Sequence, residues 1–124
     1  MKTVLITGGT GFLGVHLARF FLKKKYKVIL LDVAPLTAKD ILGKVKVIIA
    51  DITDNNRVKE AFLKNKIDYV VHAAAALPIQ HSRKKIFEVN VAGTKNVLQS
   101  ALDTKVKRLC FISTTAMYGV PRHL

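Results

Sequence analysis

The run Thr7-Gly8-Gly9-Thr10-Gly11-Phe12-Leu13-Gly14 directly follows a β-branched segment and opens one with helical spacing. A strand that turns at once into a helix needs a residue with free backbone conformation, which Gly8 supplies. A main chain pressed against a diphosphate needs a residue without Cβ, as at Gly11, and close helix-on-strand packing favours Gly14. Free N–H groups at the helix start then face the anion. A glycine-rich turn without a ligand is the competing reading. A Walker-type phosphate loop is excluded, because Gly14 is followed by Val15-His16 and not by Lys and Ser or Thr.

The rest of the chain repeats the strand-to-helix alternation. Residues 3–7, 27–32, 45–50, 69–73 and 108–113 are continuous and apolar, as buried parallel strands are. Between them, residues 11–25 place Leu13, Leu17, Phe20 and Phe21 on one helical face, expected to lie on the sheet. Thr53 is the expected N-cap of a helix running to about Lys64 that buries Val58, Ala61 and Phe62. Residues 83–103 form a longer helix with Asn90, Thr94, Val97 and Ala101 along one stripe. Residues 33–43 read as a loop with one helical turn. The pattern predicts an α/β fold: right-handed crossovers building a doubly wound parallel sheet of about five strands in three layers.

At 124 residues, half of them apolar, the chain holds one domain with one core. Its apolar runs stop well short of the roughly 18 to 20 residues of a membrane span. No bilayer crossing is expected. A single cysteine, Cys110, cannot form an internal disulfide, and the N-terminus has no signal-peptide pattern, so a cytoplasmic setting is expected. Cys110 reads as a small buried hydrophobe. The net charge of +13 raises nucleic acid as a partner. That reading is discounted: the lysines cluster at the ends of apolar segments, at residues 23–25, 64 with 66, and 105 with 107–108, where cations favour helix C-termini.

Three acids and amides could carry specificity. Asp32 ends the second strand, where a dinucleotide fold needs a carboxylate for the adenosine ribose. A 2′-phosphate about 4 Å from it would cost about 4 kcal/mol at an effective dielectric near 20, so NAD is preferred over NADP. A solvated strand-end aspartate is the alternative. Asp51-Ile52 ends the third strand, within reach of an adenine edge, although Asp51 could instead cap the next helix. His72 precedes three small residues, Ala73, Ala74 and Ala75, against which a cofactor could lie. The histidine itself reads as a packed, hydrogen-bonded core residue rather than a catalyst. Asn90 must find partners on an otherwise apolar stripe, in a structural network or a catalytic one. No metal site is visible.

Assembled in this order, the motifs resemble the extended short-chain dehydrogenase/reductase family, in its NAD-dependent epimerase/dehydratase branch. The resemblance runs over essentially the whole chain. It implies a Rossmann fold in which Gly8, Gly11 and Gly14 bind the pyrophosphate with Phe12 and Leu13 touching the cofactor. Asp32 is implied to hold the ribose, Asp51 and Ile52 the adenine, and Ala73 to Ala75 to line the cofactor. The segment Val89-Asn90-Val91-Ala92-Gly93-Thr94 resembles the one whose asparagine supports the active site. In Phe111-Ile112-Ser113-Thr114-Thr115-Ala116-Met117-Tyr118-Gly119, Thr114 takes the place of the hydroxyl that bonds the reacting carbonyl or alcohol. Dehydratases of the family carry acids at the next two positions. Thr115 and Ala116 stand here, which disfavours dehydration.

One family element is absent. No tyrosine is followed four residues later by lysine: Tyr26 leads to Leu30, Tyr69 to Ala73 and Tyr118 to Arg122. The expected general base is therefore missing. Residues 1–124 are accordingly expected to be the NAD(P)-binding N-terminal part of a longer enzyme, truncated before its substrate region and inactive alone. The parent is expected to move a hydride on a nucleotide-sugar, a small-molecule substrate. A non-catalytic NAD-binding module, a parent acting on hydroxysteroid or flavonoid-type alcohols, and a methyltransferase are the alternatives. The last usually carries an acid where Thr7 stands. An uncovered sheet edge would favour homo-oligomers or self-association.

Overall fold

The computed structural model describes residues 1–76, 82–114 and 119. Among them are five parallel strands: β1 (Thr3–Thr7), β2 (Lys27–Asp32), β3 (Lys46–Ile49), β4 (Tyr69–His72) and β5 (Arg108–Phe111). They lie in the order β3-β2-β1-β4-β5. Leu5 pairs with Ile29 on one side and Val70 on the other, and Ile6 with Leu30 and Val71. Every residue of β1 is buried, as expected of a central strand covered on both faces. The strand order reverses between β1 and β4, which places a crevice beyond the carboxyl ends of these two strands.

Among the described residues four α-helices accompany the strands, α1 (Phe12–Lys23), α2 (Asn55–Lys64), α3 (Arg83–Phe87) and α4 (Thr94–Asp103), of which α1 covers one face of the sheet and α2 and α4 the other. Alternate strand residues feed two cores. Leu5, Ile29, Leu31 and Val70 pack with Val58, Phe62, Val97 and Ala101 from α2 and α4. Val4, Ile6, Val28, Leu30 and Val71 pack with Ala18 of α1 and with Ile41 from the loop after β2. The result is the three-layer doubly wound sheet read from the sequence.

Several local expectations are corrected. The last three strands end one or two residues early, within the usual scatter of strand ends. The sheet-facing residue of α1 is Ala18, whose small side chain allows close approach, with Leu17, Phe21 and Leu22 beside it, while Gly14 is buried against the glycine turn. Leu13 and Phe20 are 43% and 51% exposed instead. Asp54, not Thr53, caps α2, accepting the Arg57 N–H at 3.2 Å. The long helix is interrupted between α3 and α4 by a π-helical turn, Glu88–Gly93. Cys110 is exposed, because β5 forms the edge of the sheet.

The lysine clusters follow the helix ends in part. Lys23 and Lys64 lie in the last turns of α1 and α2, whereas α4 has no basic residue in its last turn. Both α1 and α4 close with the same device. Lys25 N–H donates to Leu22 O and Tyr26 N–H to Phe21 O, and Lys105 and Val106 repeat this with Leu102 and Ala101. Lys25 and Lys105 take φ of 65° and 55°, a conformation that usually falls to glycine at this position.

Candidate nucleotide cleft

Beyond the carboxyl ends of the strands lies a cleft of about 560 Å³. It gathers Gly8, Gly11, Phe12, Leu13, Gly14, Asp32, Asp51, Ile52, Ala73, Ala74 and Ala75 from four separate strand exits. Asn90 and Thr114 are not among its lining residues. Thr114 lies beyond β5 and is exposed. Thr115, Ala116 and Tyr118 lie outside the described residues.

The glycines of the turn answer to different constraints. Gly8 has φ +67°, and a Cβ there would stand 2.9 Å from Ala74 N. Gly9, which the glycine spacing does not single out, is pressed between Ile6 O and the Leu30 side chain, each 2.8 Å from where a Cβ would be. Gly14 backs onto the turn itself, 2.5 Å from Gly8 O and Gly9 Cα, rather than onto the strand. Gly11 differs from all three. Its φ is −79°, open to any residue, and a Cβ would meet only Gly8 O at 3.4 Å. The protein's own packing leaves room there for a side chain. The space lies on the cleft, as expected where a main chain must approach a ligand closely.

Asp32 is held as well as placed. Its Oδ2 accepts the Thr10 N–H at 3.1 Å and its Oδ1 accepts the Ala34 N–H at 3.3 Å. One bond per oxygen leaves further acceptor capacity on both. Asp51 does not cap α2. Its Oδ1 accepts from both Thr53 N–H (2.9 Å) and Thr53 hydroxyl (2.8 Å), while Oδ2 lies 3.4 Å from Lys85 Nζ. Partial burial works to raise the Asp51 pKa; the Thr53 bonds and Lys85 outweigh it and hold the carboxyl below its ordinary value. Ile52 is buried and fills the hollow beside Gly93, where a Cβ would stand 2.6 Å from its Cδ1. Lys85, Val89 and Ala76 also line the cleft and were not foreseen. They come from a helix and loop whose approach no local pattern announces.

The alanine run is gripped at both ends. Thr7 Oγ1 accepts the N–H groups of Ala73 and Ala74 at 3.1 and 3.2 Å. At the far end, Asn90 Oδ1 accepts the Ala76 N–H at 2.8 Å and Asn90 Nδ2 donates to Ala76 O at 3.2 Å. Asn90 thus satisfies its amide in a backbone clamp. His72 is 1% exposed, with its ring stacked on Phe111 at 5.7 Å. Burial lowers its pKa from 6.5 to about 4. Among the described residues no group of three or more His, Cys, Asp or Glu could hold a metal ion, and no helix is long and apolar enough to cross a membrane.

Comparison with known proteins places this geometry. The family model described as "NAD dependent epimerase/dehydratase family" matches residues 4–124. A UDP-N-acetyl-alpha-D-glucosaminuronate decarboxylase from Bacillus cytotoxicus is 37% identical over 95% of this chain and 38% of its own length. A UDP-glucose 4-epimerase from Halalkalibacterium halodurans is 36% identical over 95% of this chain and 36% of its own. The Bordetella bronchiseptica enzyme WbmG, solved in complex with NAD, superposes with a TM-score of 0.87 at 31% identity, covering 98% of this chain and 40% of that one. The chain therefore spans less than two fifths of the length of these two curated relatives.

Proposed function

Since the chain belongs to the NAD-dependent epimerase/dehydratase family, we propose that it forms the NAD-binding portion of an enzyme that moves a hydride on a nucleotide-sugar. The observation that carries this is the space at Gly11: a position tolerant of a side chain in every internal respect, left bare where it borders the cleft. A diphosphate rests on the turn from Gly8 to Gly14, at the start of α1, whose N–H groups face it. The adenosine ribose sits at Asp32, which has acceptor capacity left for both hydroxyls. Asp51 and Ile52 border the adenine, and Ala73 to Ala75 lie along the cofactor.

The charge of Asp32 selects NAD over NADP, and among the described residues no arginine lines the cleft to offset a 2′-phosphate. Bound NAD supplies the hydride acceptor. The residues of this chain bind and orient it, with Thr114 as the hydroxyl toward the reacting carbonyl or alcohol and Asn90 in support. No tyrosine here is followed four residues on by lysine, so these 124 residues bind the cofactor without turning over substrate.

Titration calorimetry with NAD, NADP and S-adenosylmethionine tests the reading. NAD should bind at least tenfold more tightly than NADP. Tighter binding of S-adenosylmethionine, or no heat with any of the three, would overturn it.

A further inference from the structure

His72 has no part in the reading above, yet it is enclosed and both ring nitrogens have partners: Nδ1 lies 2.6 Å from Thr7 Oγ1 and Nε2 lies 2.8 Å from Thr94 Oγ1. The direction of these bonds follows from counting. A hydroxyl has one proton and two lone pairs. Thr7 Oγ1 already accepts the N–H groups of Ala73 and Ala74, so both lone pairs are taken. Its proton is therefore donated to His72 Nδ1. A nitrogen that accepts carries no proton, which leaves the ring neutral with its hydrogen on Nε2, donated to Thr94 Oγ1.

The two threonines stand at telling places. Thr7 ends β1, immediately before the glycine turn, and grips the start of the alanine run. Thr94 opens α4 directly after the π-helical turn, whose Asn90 clamps Ala76 at the end of that run. Gly8 leaves no room for a Cβ against Ala74, so the run also bears on the phosphate turn. The geometry points to His72 as a positioning residue: by joining Thr7 to Thr94 it ties together the two grips on residues 73–76 and sets the shape of the wall along which a dinucleotide lies. The consequence for binding rests on the dinucleotide reading; the ring proton and the clamp do not.

Two variants separate hydrogen bonding from packing. His72→Phe keeps a ring to stack on Phe111 but removes both nitrogens. His72→Asn loses volume but returns an acceptor near the Nδ1 position for Thr7. A purely structural role predicts that Phe is tolerated better than Asn. The positioning role predicts the reverse. Long-range ¹H–¹⁵N spectra of the wild-type chain should show a protonated Nε2 and a bare Nδ1. In His72→Phe the amide signals of Ala73, Ala74 and Ala76 should move and NAD affinity should fall at least tenfold, while His72→Asn, which restores the Thr7 bond but not the Thr94 bond, returns Ala73 and Ala74, leaves Ala76 displaced and recovers only part of the affinity. A proton on Nδ1, an unmoved Ala76 amide in His72→Phe, or an Asn variant no better than Phe would overturn the assignment. If wild-type chain gives no heat with NAD, the dinucleotide reading fails separately, and the ring proton and amide signals still decide the role of His72. Should His72→Phe not fold, the wild-type tautomer and the Asn variant decide between the two roles.

Discussion

Asp32 Oδ2 accepts the main-chain N–H of Thr10 at 3.1 Å, so the carboxylate at the end of β2 also fastens the turn that follows β1. On the proposed reading one side chain thus serves two subsites, the place of the ribose and the loop beneath the diphosphate. Asp32→Ala should weaken NAD by about 10- to 100-fold, in line with the roughly 1.5 to 3 kcal/mol of hydrogen bonds to a charged group. The preference over NADP should narrow at the same time. Calorimetry with both nucleotides checks it; unchanged selectivity would refute the ribose role.

Two glycines of the same turn should fail in opposite ways. Gly11→Ala has a permitted φ and no close neighbour, so its melting temperature should match wild type while NAD binding drops at least tenfold. Gly14→Ala drives a Cβ against main chain 2.5 Å away and should lose about 1 to 3 kcal/mol of stability, the usual cost of overpacking. Urea unfolding beside calorimetry separates the two. Equal behaviour of the pair would be contrary.

The buried histidine gives stability a pH slope. Unfolded, His72 takes a proton near its ordinary 6.5; folded, burial holds it unprotonated down to about 4. Between those values the unfolded chain binds the additional proton, so stability falls as pH falls. The loss should total about 3 kcal/mol across the window, at 1.36 kcal/mol per unit. The urea midpoint of wild type should drop further between pH 7.5 and 4.5 than that of His72→Phe, whose slope is flatter. Parallel slopes would contradict the assignment.

Lys25 and Lys105 hold left-handed backbone where their helices close. Lys25→Gly and Lys105→Gly should each stabilise the fold by up to about 1 kcal/mol, since an L side chain costs roughly 1 to 2 kcal/mol in that conformation and glycine's added chain entropy takes some of this back. Thermal unfolding of each variant reads the gain directly, and a loss would show that the lysine stems pack usefully.

β5 lies at the sheet edge with Phe111 53% and Ile112 40% exposed, and α4 presents Leu98 and Leu102 at 46% and 73%. Such a surface should drive self-association that grows with protein concentration. Sedimentation with reductant present, to keep exposed Cys110 from cross-linking, should show it. A sharp monomer at all concentrations would not fit.

Fold and cleft were legible in the sequence to different depths. The five strands and the glycine turn announced themselves through local pattern, because a buried parallel strand is apolar throughout and the turn tolerates few residues. The cleft's acids, Asp32 and Asp51, were legible from their positions at strand ends. What escaped depends on partners distant in sequence. Asn90 bonds Ala76 fourteen residues away, and Lys85 meets Asp51 across thirty-four. Nothing in either neighbourhood encodes such a meeting. Leu13 and Phe20 misled because helical spacing marks a stripe without saying which flank is inward; the small residue Ala18 settled that by letting α1 draw close to the sheet. Cys110 was misjudged because an apolar strand looks alike at the centre of a sheet and at its rim.

Ile52 seated in the hollow of Gly93 couples the rim beside Asp51 to the helical turn that carries Asn90. Neither side has slack to slide past the other. The opening should therefore widen or narrow as one jaw, and a pull at the Asp51 end should register at the amide that fastens its opposite flank.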